Sequence, residues 1–103
     1  MTQAIICDGK CGETVIELTG HADYNPGNDI VCSAISAFIY ALVNLVRAAE
    51  EQGEAKIYEL IEDTGHIKFR FQCKEWQQYK RFYTTGMYMI ADHFPKHLEV
   101  HEL

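Results

Sequence analysis

His21 and Cys32 are the two side chains whose types and spacing best suit covalent chemistry. His21 stands in Gly20-His21-Ala22-Asp23-Tyr24. After the turn-forming run Asn25-Pro26-Gly27-Asn28, Cys32 stands in Asp29-Ile30-Val31-Cys32-Ser33-Ala34. Asp29 is a good N-cap residue, because its carboxylate accepts the orphan N–H groups of a first helical turn. A helix begun there carries Cys32 within that turn, where the macrodipole and free N–H groups favour a thiolate. The same N–H groups are expected to hold the oxyanion of an acyl-transfer intermediate. A thiolate needs a base or a cationic partner, and His21, at the exit of the preceding strand, can meet Cys32 across the loop as a Cys–His pair. Asp29 can cap the helix, orient His21, or do both in turn. Ser36 lies one turn beyond Cys32 on the same face and can line the site. Gly20, Gly27 and the Asn-Pro-Gly turn would let the loop move as a lid. On spacing alone, a cysteine near a helix start is more often a small buried hydrophobe.

These residues need a scaffold, and the periodicities predict one. Ala4–Ile6 and Thr14–Thr19 are rich in β-branched residues and read as strands, joined by the turn chemistry of Asp8-Gly9-Lys10-Cys11-Gly12. A helix is predicted from Asp29 to Gln52, with Gly53 just past its end. Its polar residues Ser33, Ser36, Tyr40, Asn44 and Arg47 form one narrow stripe, so it needs cover on more than one side, from a sheet and from a second helix or a second subunit. Ala55–Ile61 reads as a strand, Asp63-Thr64-Gly65 as a turn, and His66–Phe71 as a strand with Ile67, Phe69 and Phe71 on one face. A second helix is predicted over Lys74–Phe94, ended by Pro95, and Leu98–His101 has the composition of a short closing strand. The expected architecture is a single α+β domain over residues 1–103, of order ββαββα with the closing strand optional. A sheet would pack on two helices in two layers.

Composition narrows the function classes. The chain has 103 residues, of which 48% are hydrophobic, enough for one core. Its formal charge of −6 argues against direct nucleic-acid binding and suits a basic partner. The first residues lack the pattern of a signal peptide. The apolar stretch Ala34–Val46 is shorter than the roughly 20 residues a bilayer span needs. A soluble, cytoplasmic protein is expected, with no membrane association. Its four cysteines would then be free thiols, metal ligands or catalytic groups rather than a disulfide frame.

Other chemistry-bearing residues carry less. Cys7 and Cys11 form a single pair across a tight turn, and a structural zinc site needs four ligands. His93, His97 and His101 recur every four residues, but Pro95 breaks the helix between the first two, so they are expected as solvent-exposed histidines. No metal is therefore assigned. Cys73 is expected to pack. Trp76, Tyr79, Phe82 and Tyr83 are expected in the core or on a dimer surface. A redox protein would want a C-x-x-C motif, and Cys32 has no sequence-adjacent resolving thiol.

The run Gly20-His21-Ala22, a polar glycine-containing loop and Asp29-Ile30-Val31-Cys32-Ser33-Ala34-Ile35-Ser36-Ala37 resembles the signature of the ribosomal-processing cysteine protease (Prp) family. Gly86-Met87-Tyr88-Met89-Ile90-Ala91-Asp92-His93-Phe94-Pro95 resembles that family's closing helix. The resemblance implies a catalytic His at His21, a nucleophile at Cys32, a supporting acid at Asp29 and a supporting Ser at Ser36. It implies a small α/β homodimer, without metal or organic cofactor. Such a protease removes the N-terminal extension of large-subunit ribosomal protein number twenty-seven after an aromatic pair. The Cys7/Cys11 pair and the residues Ser33 and Phe38 depart from the pattern. A diverged member processing another protein, such as a phage component, and a catalytically silent protein-binding module on the same scaffold are the alternatives.

Overall fold

In the computed structural model, which describes residues 1–103, strict alternation of burial marks the sheet. In β1 (Thr2–Asp8), Thr2, Ala4 and Ile6 are buried, and in β2 (Thr14–Thr19), Thr14, Ile16 and Leu18 are. They form an antiparallel hairpin with Ile6 opposite Ile16. β3 (Ala55–Asp63) and β4 (His66–Cys73) form a second hairpin, and β4 pairs antiparallel with β2. The closing strand is real: β5 (Leu98–Glu102) runs parallel to β1, giving the order β3-β4-β2-β1-β5.

Both helices cover one face of this sheet, as the two-layer α+β expectation has it. α1 (Ile30–Glu51) buries Val31, Ile35, Ile39, Leu42, Val43 and Val46. Each such side chain contributes about 1.5–3 kcal/mol of transfer free energy. α1 is long and apolar enough to cross a membrane by length and composition, which corrects the estimate made from Ala34–Val46 alone. Six of its residues are buried in the core. The helix ends in a Schellman motif: Gly53 N–H donates to the Glu50 carbonyl and Glu54 N–H to the Ala49 carbonyl, with Gly53 at φ 76°.

α2 (Trp76–His93) starts two residues later than its periodicity suggests and has no side-chain cap at Glu75. Trp76, Tyr83, Met87 and Ile90 are buried, Tyr79 is half-buried, and Phe82 is 71% exposed. The four aromatics therefore divide between core and surface. Burial pushes the Tyr83 hydroxyl far up, and it has no hydrogen-bond partner.

A β-bulge at Tyr58 decides which residues of β3 face the helices. Ile57 pairs with Phe71, but the next pair is Glu59 with Arg70, so the alternation shifts by one residue. Leu60 then opposes Phe69 on the helix side, and Glu62 opposes Ile67. The bulged Tyr58 lies on the other side, with Lys56 and Arg70 each within about 5 Å of its ring.

Candidate active site

Asp29 organises the entrance to α1 from both directions. Its Oδ1 accepts the N–H groups of Val31 and Cys32, each at 2.9 Å. Its Oδ2 accepts those of Tyr24 at 2.9 Å and Asn25 at 3.4 Å. One carboxylate thus caps the helix and ties down the loop that leads to it. Desolvation pushes its acidity down, yet the backbone donors of Cys32, Tyr24, Asn25 and Val31 together prevail and hold its pKa below the usual 3.8.

This cap corrects one expectation. The N–H groups of Val31 and Cys32 are occupied by Asp29, and that of Ser33 by the Asp29 carbonyl at 3.0 Å. These helix-start donors are not free for an oxyanion. The donor aimed at the sulfur comes from the loop: the backbone N–H of Ala22 lies 3.3 Å from Cys32 Sγ. Asp29 also makes no hydrogen bond to His21. Of the roles open to it, the structure displays the cap.

Cys32 is half-buried and lines a cavity of about 460 Å³. Its walls are three elements: the end of β2 with Gly20 and His21, the α1 face of Cys32, Ile35, Ser36 and Tyr40, and the β3–β4 turn from Glu62 to Ile67. His21, Cys32, Ser36 and Gly20 therefore share one cavity. Tyr40 donates to Glu62 at 2.9 Å across it. That acceptor, with burial and the carboxylate's charge, pushes the phenol up and keeps it a donor.

His21 and Cys32 are not hydrogen-bonded to each other. The His21 imidazole lies over the β3–β4 turn, its Nε2 3.1 Å from where a Cβ on Gly65 would be. Gly65 has φ 73°, so both its backbone conformation and the ring resting on it require glycine.

The loop over residues 20–28 is tied at several points. Gly20 N–H donates to the Gly65 carbonyl at 2.9 Å, and His97 bonds the Ala22 carbonyl at 2.8 Å. Tyr24 packs edge-on against Phe94 and His97. Asn28 N–H donates to the Asn25 carbonyl at 3.0 Å. Ala22 is fully buried, whereas Gly27, at φ 90°, has open space around it and does not line the cavity.

Of the three C-terminal histidines, one is exposed as expected and two are not. His93 is exposed and reaches its own helix at the Met89 carbonyl. His97 and His101 are half-buried, the latter between Gln3 and Glu99. No three His, Cys, Asp or Glu side chains come together in a way that could hold a metal. Cys11 is exposed, and Cys7 and Cys73 are half-buried. Burial pushes the Cys73 thiol up, consistent with packing. Spacing did not reveal Ala22 N–H as the sulfur's donor, His97 as a loop contact, or Tyr40, Glu62 and Gly65 as cavity walls. Nothing in their local sequence marks them.

A half-buried thiol at a capped helix start, under a loop that carries a histidine, is the arrangement of a cysteine hydrolase. The chain belongs to the cysteine protease Prp family, whose model matches residues 1–99. Its fold is similar to that of the essential ribosomal processing protease Prp of S. aureus, solved with a covalently linked product peptide. That match has TM-score 0.77 and 22% identity, with 100% of each chain covered. The same S. aureus protease with a substrate peptide matches at TM-score 0.73 and 21% identity, again over 100% of both chains. A crystal structure from Streptococcus mutans matches at TM-score 0.67 and 26% identity, over 100% of this chain and 94% of that one. No curated protein matches the chain.

Proposed function

We propose that this cysteine protease cuts an extended protein N-terminus by a Cys32–His21 mechanism. The substrate assigned is the N-terminal extension of large-subunit ribosomal protein number twenty-seven, cut after an aromatic pair. The observation that carries this reading is the shared cavity, which exposes Cys32 Sγ and His21 to the same space and aims the Ala22 N–H at the sulfur. His21 leaves its rest position over Gly65 and takes the thiol proton. The thiolate attacks the scissile carbonyl, and charge passes to the carbonyl oxygen beside the Ala22 N–H. His21 then protonates the leaving amine, and the C–N bond breaks. Water, deprotonated by His21, releases the acid and restores the thiol. Asp29 holds the helix start and loop together, and Ser36 lines the cleft.

The net charge of −6 suits a basic ribosomal substrate. We place the enzyme in the cytoplasm as a homodimer, without cofactor, nucleic acid or membrane as partner. Support for the dimer comes from the outer face of the helix layer. There Phe38, Leu45, Tyr79 and Phe82 line an apolar groove of about 280 Å³.

The test is mass spectrometry of a peptide spanning the aromatic segment, incubated with wild type and with Cys32→Ala. A single cut after the aromatic pair, absent in the variant, is expected. No cut by folded protein whose Cys32 still alkylates readily would redirect the search to another substrate, such as a phage protein. No cut and an inert Cys32 would leave the silent binding module.

A further inference from the structure

His97 is separated from Cys32 by most of the chain, yet one residue joins them. The His97 ring bonds through Nδ1 to the Ala22 carbonyl at 2.8 Å, and the Ala22 N–H lies 3.3 Å from Cys32 Sγ. A carbonyl oxygen only accepts, so Nδ1 carries the proton. His97 is itself held in place. Its N–H donates to the Phe94 carbonyl at 2.9 Å, and its carbonyl accepts from Thr2 N–H at 3.0 Å. The rings of Phe94 and His97 both meet the edge of Tyr24, two residues along the loop from Ala22. The turn between α2 and β5 thus acts as a rigid clamp on a loop whose other tether points are Gly20 and Asp29. Ala22 is fully buried between clamp and nucleophile, so it has little room to drift.

We propose that His97 is a positioning residue for the nucleophile. By donating from Nδ1 to the Ala22 carbonyl it holds the Ala22 N–H on Cys32 Sγ, where that N–H stabilises the thiolate. The proposal rests on the reading of Cys32 as nucleophile and adds a residue that touches neither substrate nor sulfur. Nδ1 donates in the neutral Nδ1–H form and in the cation alike, so the clamp holds in either form. The ionisable groups that share the cavity with Cys32 are His21, Tyr40, Glu62, Asp63 and His66, with Asp29 at the helix start. All remain in place in the variants below.

The experiment follows alkylation of Cys32 by iodoacetamide, read by peptide mass spectrometry so that Cys7, Cys11 and Cys73 are resolved. The ratio of rates at about pH 7 and about pH 9.5 reports thiolate content with accessibility divided out. His97→Ala is expected to lower that ratio about tenfold, the scale of a lost hydrogen bond to a charged group. His97→Asn, whose side-chain N–H₂ stands near the Nδ1 position, is expected to restore most of it. An unchanged ratio in folded His97→Ala, or no recovery with Asn, overturns the proposal. In wild type, long-range ¹H–¹⁵N correlation should show His97 as the Nδ1–H tautomer. The Nε2–H tautomer would overturn the clamp even if His97→Ala does not fold. Failure of the nucleophile reading looks different: wild-type Cys32 would alkylate at neutral pH no faster than exposed Cys11.

Discussion

The Asp29 carboxylate serves four backbone N–H groups, and its worth depends on its charge. Its pKa lies below the ordinary 3.8 in the folded protein. The stability it contributes is therefore fully present above that ordinary value, and it is lost as pH falls through the lower folded value. Asp29→Ala is expected to lower the thermal midpoint clearly at about pH 7. The gap to wild type should close as the pH falls through that lowered value. Calorimetry of both proteins across that range checks this, and a gap that stays constant with pH would contradict it. At the same scale, Ala22 meets the sulfur and His97 through its backbone, which is why its side-chain type hides that role.

Between the two helices, Gly86 permits a close approach. A Cβ there would stand 2.3 Å from the ring of Phe38 on α1. Alanine in a helix interior gains up to about 1 kcal/mol over glycine, while overpacking costs about 1–3 kcal/mol. The clash should win, so Gly86→Ala is expected to lose about 1 kcal/mol in urea unfolding. In a Phe38→Ala background the same change should turn stabilising, by up to about 1 kcal/mol. Equal effects in both backgrounds would show that Phe38 is not the obstacle. The bulge at Tyr58 is the second device at this scale. Without it, unbroken alternation from Ile57 would turn Glu59 and Ile61 toward the helices. Leu60 would leave the core and Glu62 would leave the cavity wall.

At the scale of the whole molecule, the helix layer covers one face of the sheet and leaves its own outer side apolar. Phe82 is 71% exposed and Leu45 45%. Such residues clustered around a groove are the expected seam of the proposed homodimer. Phe82→Glu would place a charge at its centre. Sedimentation velocity is expected to show wild type as a dimer and Phe82→Glu as a folded monomer. A monomeric wild type would remove the dimer from the functional reading. The ion pairs of the sheet's other face, such as Glu59 with Lys68 and Arg70, are exposed enough to contribute little.

What the sequence by itself determined was local. The Asp29 cap, the α1 stop at Gly53, the alternation of β2 and β4, and the Gly-His-Ala and Asp-Ile-Val-Cys pieces all act within a few residues. Capping, pleating and turn chemistry are set at that range. The element order and the shared cavity of His21 and Cys32 follow from strand exit meeting helix entrance. What only the tertiary structure decided is long-range. It includes the parallel pairing of β5 with β1, the one-residue shift at Tyr58 and the rest of His21 over Gly65. It also includes the approach of His97 to Ala22, 75 residues away. Those contacts join groups far apart in the chain, several of them backbone groups that no side-chain type reveals. Only the packing of the layers brings them together, so no spacing along the chain could announce them.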